Sequence, residues 1–127
     1  MKSMRTPLGR VHGLGSAKSG TEDFWRQRLT AMANIPLVIA GVVIVISLVG
    51  RNHAAAVQIL GSPLIAILML LFILSVTYHM RIGMQVIIED YVHEEKSKLA
   101  LIVLNTFYAI TVALVAAFAI LKLAFGV

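Results

Sequence analysis

Two ionisable side chains, His79 and Arg81, lie within a long apolar run that ends in an acid and a phenol, Asp90 and Tyr91. Ionisable groups are costly in hydrocarbon, so a histidine in such a run indicates a functional site. On a helix, His79 and Asp90 lie about 20° apart around the axis and about 16 Å apart along it. One helical face therefore carries a nitrogen donor at depth and a carboxylate near the membrane surface. This arrangement suits a buried cofactor that is linked to a site at the interface.

A neutral imidazole at the depth of His79 is compatible with three roles. It can be an axial ligand to a haem iron, a proton-relay group, or a packing residue between helices. As a haem ligand it supplies one axial position, so a bis-histidine haem needs a second ligand from a partner subunit. His12, His53 and His93 are poorly placed for that position, because they fall in the N-terminal arm, on the opposite surface and in a loop.

The residues around the histidine also allow more than one interpretation. The Tyr91 phenol can donate a hydrogen bond to a quinone carbonyl, and Asp90 can orient or deliver a proton. Equally, a tyrosine belongs to the aromatic belt and an acid is common in a loop. Arg81, about 200° around the helix from His79, can snorkel to the cytoplasmic surface or pair with a carboxylate at a subunit interface. Gly83 leaves room for a flat ring or for another helix.

The composition indicates a small integral membrane protein. Of its 127 residues 59% are hydrophobic, and the mean hydropathy is +0.90. There are no cysteines, which excludes disulfides, iron–sulfur clusters and thiolate metal sites in this chain. The basic residues behind the net charge of +5 flank the apolar runs and do not form a separate domain. It therefore favours membrane orientation and lipid contact over nucleic-acid binding.

Three apolar runs, at about residues 29–49, 63–88 and 99–121, each exceed the ~20 residues that a helix needs to cross a bilayer. They predict an all-α membrane protein with three transmembrane helices. Residues 1–20 contain four glycines, one proline and four Lys/Arg, which is typical of a flexible or extended basic arm. Residues 21–127 then form the transmembrane domain.

Hydroxyl residues are predicted to begin the three helices: Thr21, Ser62 and Ser97 stand at positions typical of N-caps. In the second helix the uninterrupted apolar part, Pro63–Thr77, corresponds to about 22 Å. That is too short to span the membrane, so this helix has to carry His79 within the bilayer.

The basic residues predict the orientation. Six Lys/Arg precede the first span and two lie in the loop after the second, whereas the opposite side has only Arg51 and Lys122. The positive-inside rule then predicts a cytoplasmic N-terminus and a periplasmic C-terminus in a multi-pass protein of the inner (cytoplasmic) membrane.

These residues resemble a known family. His79 with Gly83 and the ending Asp90-Tyr91-Val92, on the second of three spans, is similar to the hydrophobic membrane anchor subunit of succinate dehydrogenase. The start of the first helix adds a matching glycine-x-x-aspartate-phenylalanine segment and an arginine: Gly20-Thr21-Glu22-Asp23-Phe24, Arg28 and Thr30-Ala31.

The resemblance implies a complex of four kinds of subunit. A flavoprotein and an iron–sulfur subunit pass electrons from succinate to ubiquinone at the membrane surface. This chain would pack with a second three-helix anchor of the cytochrome b type, with haem b between the two anchors. The chain itself would have no dehydrogenase activity, since it lacks a dinucleotide-binding fingerprint and cluster cysteines. It would position the cofactors that carry the electrons and set the electrostatic environment around them.

Residue by residue, His79 matches the family's axial ligand to the haem iron. Tyr91 matches the tyrosine that hydrogen-bonds ubiquinone, and Asp90 the neighbouring acid. Arg28 matches an arginine near the haem or quinone interface. Met80-Arg81 replaces a tryptophan-containing segment often found after the histidine, which changes the local haem contacts but not the ligand.

Three other functions compete with this one. A small non-catalytic membrane assembly or regulatory protein would use His79 only for packing. A proton-coupled transporter subunit would use His79 and Asp90 as relay groups, although three spans without an inverted repeat disfavour it. A fumarate reductase anchor would serve the same chemistry in the opposite direction.

Overall fold

The computed structural model of the chain describes residues 4–13, 15 and 19–127. This part of the chain contains five helices, in the order α1 (Pro7–His12), α2 (Ser19–Leu48), α3 (His53–Leu60), α4 (Pro63–Tyr91) and α5 (Glu95–Phe125). Helices α2, α4 and α5 have 30, 29 and 31 residues, and all three are apolar enough to cross a membrane. The prediction of an all-helical protein with three membrane helices is confirmed.

The three long helices extend beyond the apolar runs that predicted them. Each is about 45 Å long, whereas the hydrocarbon core is about 30 Å thick. Helix α2 begins well before residue 29, and α4 continues past residue 88 to Tyr91. His79, Asp90 and Tyr91 therefore lie on one continuous helix.

Helix α4 lies between α2 and α5 and packs against both. The loop from α4 to α5 is only Val92–Glu94, so these two helices form an antiparallel hairpin. Few apolar side chains are buried: Ile44, Ala66, Ile82, Ile88, Ala109 and Ile120. Most large apolar side chains face outward, as expected for helices whose outer surfaces meet lipid or partner helices.

Polar contacts fix the register of α4 against both neighbours. Towards α2, Ser75 Oγ donates a hydrogen bond to Asn34 Oδ1 at 2.7 Å. Towards α5, Asn105 Nδ2 donates to the Arg81 carbonyl oxygen at 2.9 Å, and Arg81 Nε donates to Thr106 Oγ1 at 3.4 Å. Such interhelical bonds contribute about 0.6 kcal/mol each in membranes. Because they are directional, they define which faces of the helices meet.

Ser62 stands at the N-cap of α4 as predicted, but its side chain does not cap the helix. The hydroxyl instead donates to the Ile59 carbonyl oxygen at 2.9 Å. Helix α3 ends just before Ser62, and its last carbonyls lack intrahelical partners. The hydroxyl therefore satisfies the end of α3 and not the start of α4.

The other two predicted caps are wrong. Glu94, not Ser97, is the N-cap residue of α5, and Ser97 Oγ donates to the Glu94 carboxylate from inside the first turn. Thr21 also lies inside a helix, since α2 begins at Ser19. In both places helical structure starts two residues or more before the hydroxyl residue.

Two short helices were not predicted. In the N-terminal arm, Thr6 caps α1 by accepting a hydrogen bond from Gly9 N at 3.1 Å. On the opposite side, Asn52 caps α3 by accepting from Ala55 N at 2.9 Å. The last two residues of the predicted flexible arm, at 19–20, belong to α2, and positions 1–3, 14 and 16–18 of the arm lie outside the described residues.

Gly61, between α3 and α4, packs against the end of α5, and we expect Gly61→Ala to destabilise the protein. A Cβ there would lie 2.7 Å from the Leu123 carbonyl oxygen and 2.9 Å from the Val57 carbonyl oxygen. Because backbone atoms cannot rotate away, the helices must separate, at a cost of about 1–3 kcal/mol in the free energy of unfolding. Thermal unfolding in detergent, followed by circular dichroism, measures this loss.

Gly20→Ala is the matched control for that variant, because a Cβ at this helical position meets nothing within 4 Å. Alanine is the better helix former, so this change should be neutral or slightly stabilising. Equal melting temperatures for the two variants would contradict the predicted clash at Gly61.

Candidate functional site around His79

His79 is half-buried on α4 and faces α2. Its Nδ1 atom lies 3.0 Å from Thr30 Oγ1, which is a hydrogen-bond distance. In the part of the chain that the structure describes, this is the one hydrogen bond of the imidazole, so Nε2 has no protein partner there. The structure thus joins the predicted ligand to a residue that the sequence marked only as part of a matching segment.

Gln27 of α2 occupies the space that Gly83 leaves on α4. A Cβ at Gly83 would meet Gln27 Nε2 at 3.4 Å. The sequence predicted that either a flat ring or another helix would approach Gly83. In the structure another helix, α2, does so. The Gln27 Oε1 atom is buried and has no hydrogen-bond partner among the described residues. An unpaired buried acceptor costs about 1–3 kcal/mol, so this oxygen is a ready acceptor for a donor from outside the chain.

A groove of 530 Å³ opens between the N-terminal half of α2 and the C-terminal half of α4. Arg28 lies on the α2 side, with its guanidinium carbon 5.0 Å from the centre of the Phe24 ring. On the α4 side, Gln85 Nε2 donates to Glu89 Oε1 at 2.9 Å. Apolar side chains complete the wall, so the groove combines charged and apolar surface. The polar lining residues are Asp23, Gln27, Arg28, Gln85 and Glu89.

Asp90 and Tyr91 lie at the C-terminal end of α4, and both are exposed. The Tyr91 side chain is 78% exposed, and its hydroxyl forms no hydrogen bond within the described ranges. On the helix, Tyr91 points about 120° away from His79, and Asp90 about 20°. Neither residue lines the groove that contains Arg28. The structure therefore does not bring Arg28 and Tyr91 into one cavity of this chain.

Arg81 is half-buried and turns towards α5, where its Nε atom donates to Thr106. With Thr77 and Tyr78 it lines a small cavity of 170 Å³ between α4 and α5. Its guanidinium is thus placed on the side of α4 away from the histidine, and it contacts a hydroxyl within the helix pair.

The donor set around His79 fits one kind of metal centre better than others. Within the described residues no group of three or more His, Cys, Asp or Glu side chains could hold a metal ion. One imidazole, held through Nδ1 and without a partner at Nε2, instead fits a single axial position of an iron macrocycle. The remaining ligands of such a centre would have to come from the macrocycle and from another chain.

Taken together, the fold and the site define a protein with three long apolar helices, the second of which carries a half-buried histidine. The family model described as "Succinate dehydrogenase/Fumarate reductase transmembrane subunit" matches residues 2–114. The chain therefore belongs to the family of succinate dehydrogenase and fumarate reductase transmembrane subunits.

Three relatives are similar over most of their length. A "Succinate dehydrogenase hydrophobic membrane anchor subunit" of Paracoccus denitrificans is 26% identical over 95% of this chain and 93% of its own. A protein of the same description from Rickettsia bellii (strain RML369-C) is 32% identical over 84% of this chain and 85% of its own. The "Succinate dehydrogenase membrane anchor subunit" of Reclinomonas americana is 31% identical over 75% and 82%. No solved structure matches the chain significantly.

The family defines the role of the chain. It is a membrane anchor subunit of a succinate dehydrogenase/fumarate reductase complex, it spans the membrane with three helices, and it is not itself catalytic. The other subunits of that complex are its partners. The prediction made from His79, Gly83 and the Asp90-Tyr91-Val92 ending is confirmed at this level.

Proposed function

We propose that this chain is one of two anchors that together hold haem b, and that it forms part of the ubiquinone site of a succinate dehydrogenase. The observation that carries the proposal is the His79 imidazole on the second candidate membrane span, with Nδ1 at hydrogen-bond distance from Thr30 and no partner for Nε2 among the described residues. The companion would be a three-helix anchor of the cytochrome b type. It would supply the second axial ligand, because His79 can occupy only one.

For the haem, His79 is the residue of this chain that would bind iron. When bound, haem supplies one-electron redox chemistry. The chain itself holds the imidazole on α4 against α2, through the contact of Nδ1 with Thr30, and pairs Nε2 with none of the described residues. Arg28 would lie near the haem or quinone interface, where its charge favours an anionic group.

For ubiquinone, Tyr91 is the hydrogen-bond donor that we assign, and Asp90 the acid beside it. Both are exposed at the end of α4, about 18 Å along the helix from His79. The Tyr91 hydroxyl is not used within the described chain, so it is available to a quinone carbonyl. Because Tyr91 and Arg28 line no common cavity here, residues of the companion anchor or of the iron–sulfur subunit must complete the site.

The orientation follows the basic residues, with the N-terminus cytoplasmic and the C-terminus periplasmic in the inner membrane. The Tyr91 end of α4 then lies on the cytoplasmic side, together with the N-terminal end of α2. The iron–sulfur subunit would dock there and carry the flavoprotein. The basic residues of the arm at 1–20 would act as a strap for that docking, and basic residues elsewhere at the membrane surface would contact lipid.

The reaction of the complex could run as succinate oxidation or as fumarate reduction. The family model covers both succinate dehydrogenase and fumarate reductase. The three relatives named above are all described as succinate dehydrogenase subunits, which favours succinate oxidation.

A dithionite-reduced minus oxidised absorption spectrum of the complex, gently purified from native membranes, tests this function. We expect a b-type haem signal together with co-eluting flavoprotein, iron–sulfur and second anchor chains. The same partners without haem would remove His79 from the ligand role, and a complex without quinone reductase activity would remove Tyr91 from the quinone role.

A further inference from the structure

The hydroxyl of Thr30 has more acceptors within reach than it has protons. Thr30 Oγ1 lies 2.9 Å from the Arg26 carbonyl oxygen and 3.1 Å from the Gln27 carbonyl oxygen, one turn earlier on α2. It also lies 3.0 Å from His79 Nδ1 on α4. A hydroxyl has one hydrogen to donate and two lone pairs that accept. The three contacts can therefore be satisfied together only if Thr30 donates to its own helix and accepts from the imidazole.

That pattern decides which ring nitrogen of His79 carries the proton. A threonine within a helix commonly donates its proton to the carbonyl one turn earlier. Its oxygen then presents a lone pair, and in this arrangement His79 Nδ1 is the protonated nitrogen. The neutral imidazole consequently has a bare lone pair at Nε2, and only a bare nitrogen can bind a metal.

We propose that Thr30 is a positioning residue: by accepting a hydrogen bond from His79 Nδ1–H, it fixes the imidazole in the tautomer and orientation that leave Nε2 free for the haem iron. The inference rests on the proposed ligand role of His79 and extends it to a second residue on another helix. Thr30 does not contact the iron and acts through the imidazole alone.

The hydrogen bond has two measurable consequences for a bound haem. An acceptor at Nδ1 makes Nε2 a stronger donor and holds the ring in place, and loss of such a partner typically weakens metal binding about 10–100-fold. A stronger donor also stabilises ferric over ferrous iron. Removing the Thr30 acceptor should therefore weaken haem retention and raise the haem midpoint potential.

Thr30→Val in the purified complex is the test, because valine keeps the branched shape and lacks the hydroxyl. We expect haem transfer to apomyoglobin to show at least about tenfold weaker retention. We also expect a higher midpoint potential and altered ferric signals in electron paramagnetic resonance. Thr30→Ser, which keeps the hydroxyl, should restore the wild-type values. Thr30→Ala repeats the test with a smaller side chain and decides it if the valine variant does not assemble.

Ser75→Ala is the matched control. It removes the other side-chain hydrogen bond between α2 and α4, the 2.7 Å bond to Asn34, and leaves His79 untouched. Its haem potential and retention should equal those of the wild type. Equal shifts in Thr30→Val and Ser75→Ala would mean general loosening of the helix pair, and would overturn the positioning role.

The failure of this inference is distinguishable from the failure of the proposed function. If replacing His79 changes the haem spectrum but the hydroxyl-free Thr30 variants match the wild type, His79 is the ligand and Thr30 does not position it. If replacing His79 leaves the spectrum unchanged, the ligand role itself is wrong and the positioning role falls with it.

Discussion

His79→Leu is expected to assemble with its partner subunits and to lose the haem, or to retain it with an altered spectrum on its remaining ligand. Loss of a residue that merely supports a metal ligand weakens binding about 10–100-fold, so loss of the ligand itself should cost at least as much. Leucine suits the hydrocarbon surroundings. The freed Thr30 hydroxyl keeps its bonds to the carbonyls of α2, so the substitution does not leave this hydroxyl without a partner. Haem content per complex and the reduced-minus-oxidised spectrum measure the effect.

His93→Leu provides the control, because His93 is exposed in the loop after α4 and its one hydrogen bond among the described residues runs from Nδ1 to the Tyr91 carbonyl oxygen, at 3.2 Å. Its haem content and spectrum should match the wild type. A normal spectrum in His79→Leu, with full haem content, would exclude direct ligation by His79.

The second large effect is expected from Tyr91→Phe, which removes only a phenol hydroxyl. Quinone reduction should fall about two- to tenfold, because the hydrogen bond that the hydroxyl would donate to the quinone contributes about 0.5–1.5 kcal/mol. Succinate oxidation with an artificial acceptor should remain unchanged, since that reaction bypasses the quinone. The fold should be unaffected, because Tyr91 is 78% exposed and its stability contribution lies within about 0.5 kcal/mol.

Tyr108→Phe is the matched control for Tyr91→Phe. Tyr108 lies on α5, is 60% exposed, and its hydroxyl forms no hydrogen bond in the described part of the chain. Both quinone turnover and artificial-acceptor turnover should equal the wild type in this variant. If Tyr91→Phe likewise reduced quinone at the normal rate, Tyr91 would not be the quinone donor.

The membrane helices were predictable because hydrocarbon imposes a simple requirement. A helix needs about 20 apolar residues to cross it, and three such runs are present. The ends of these helices were less predictable, because polar turns continue the helix beyond the apolar run. The first turn of α2, from Ser19, and the last turn of α4, up to Tyr91, are examples. Ser62 and Ser97 illustrate a further difficulty. A serine near a helix start can equally donate to a carbonyl or a carboxylate, and both of these serines do so.

The site was predictable in part for a similar reason. An imidazole in an apolar run is conspicuous, so His79 could be singled out as a candidate from its residue type alone. Thr30 could not be linked to it, because the two residues lie 49 positions apart and meet only through the register of α2 against α4. The same register brings Gln27 to Gly83, which no spacing within α4 indicates.

The short hairpin between α4 and α5 bears on how the chain enters the bilayer during synthesis. An arginine at the centre of a lone inserting helix costs about 2.5–3.5 kcal/mol at the translocon. In the folded chain the Arg81 side chain donates to Thr106 and its backbone carbonyl accepts from Asn105, and both partners belong to the helix that emerges from the ribosome next. With only Val92–Glu94 between them, α4 and α5 can partition into lipid as a pair. The segment that carries the histidine thus reaches its most favourable state in the bilayer only after the following segment has been translated.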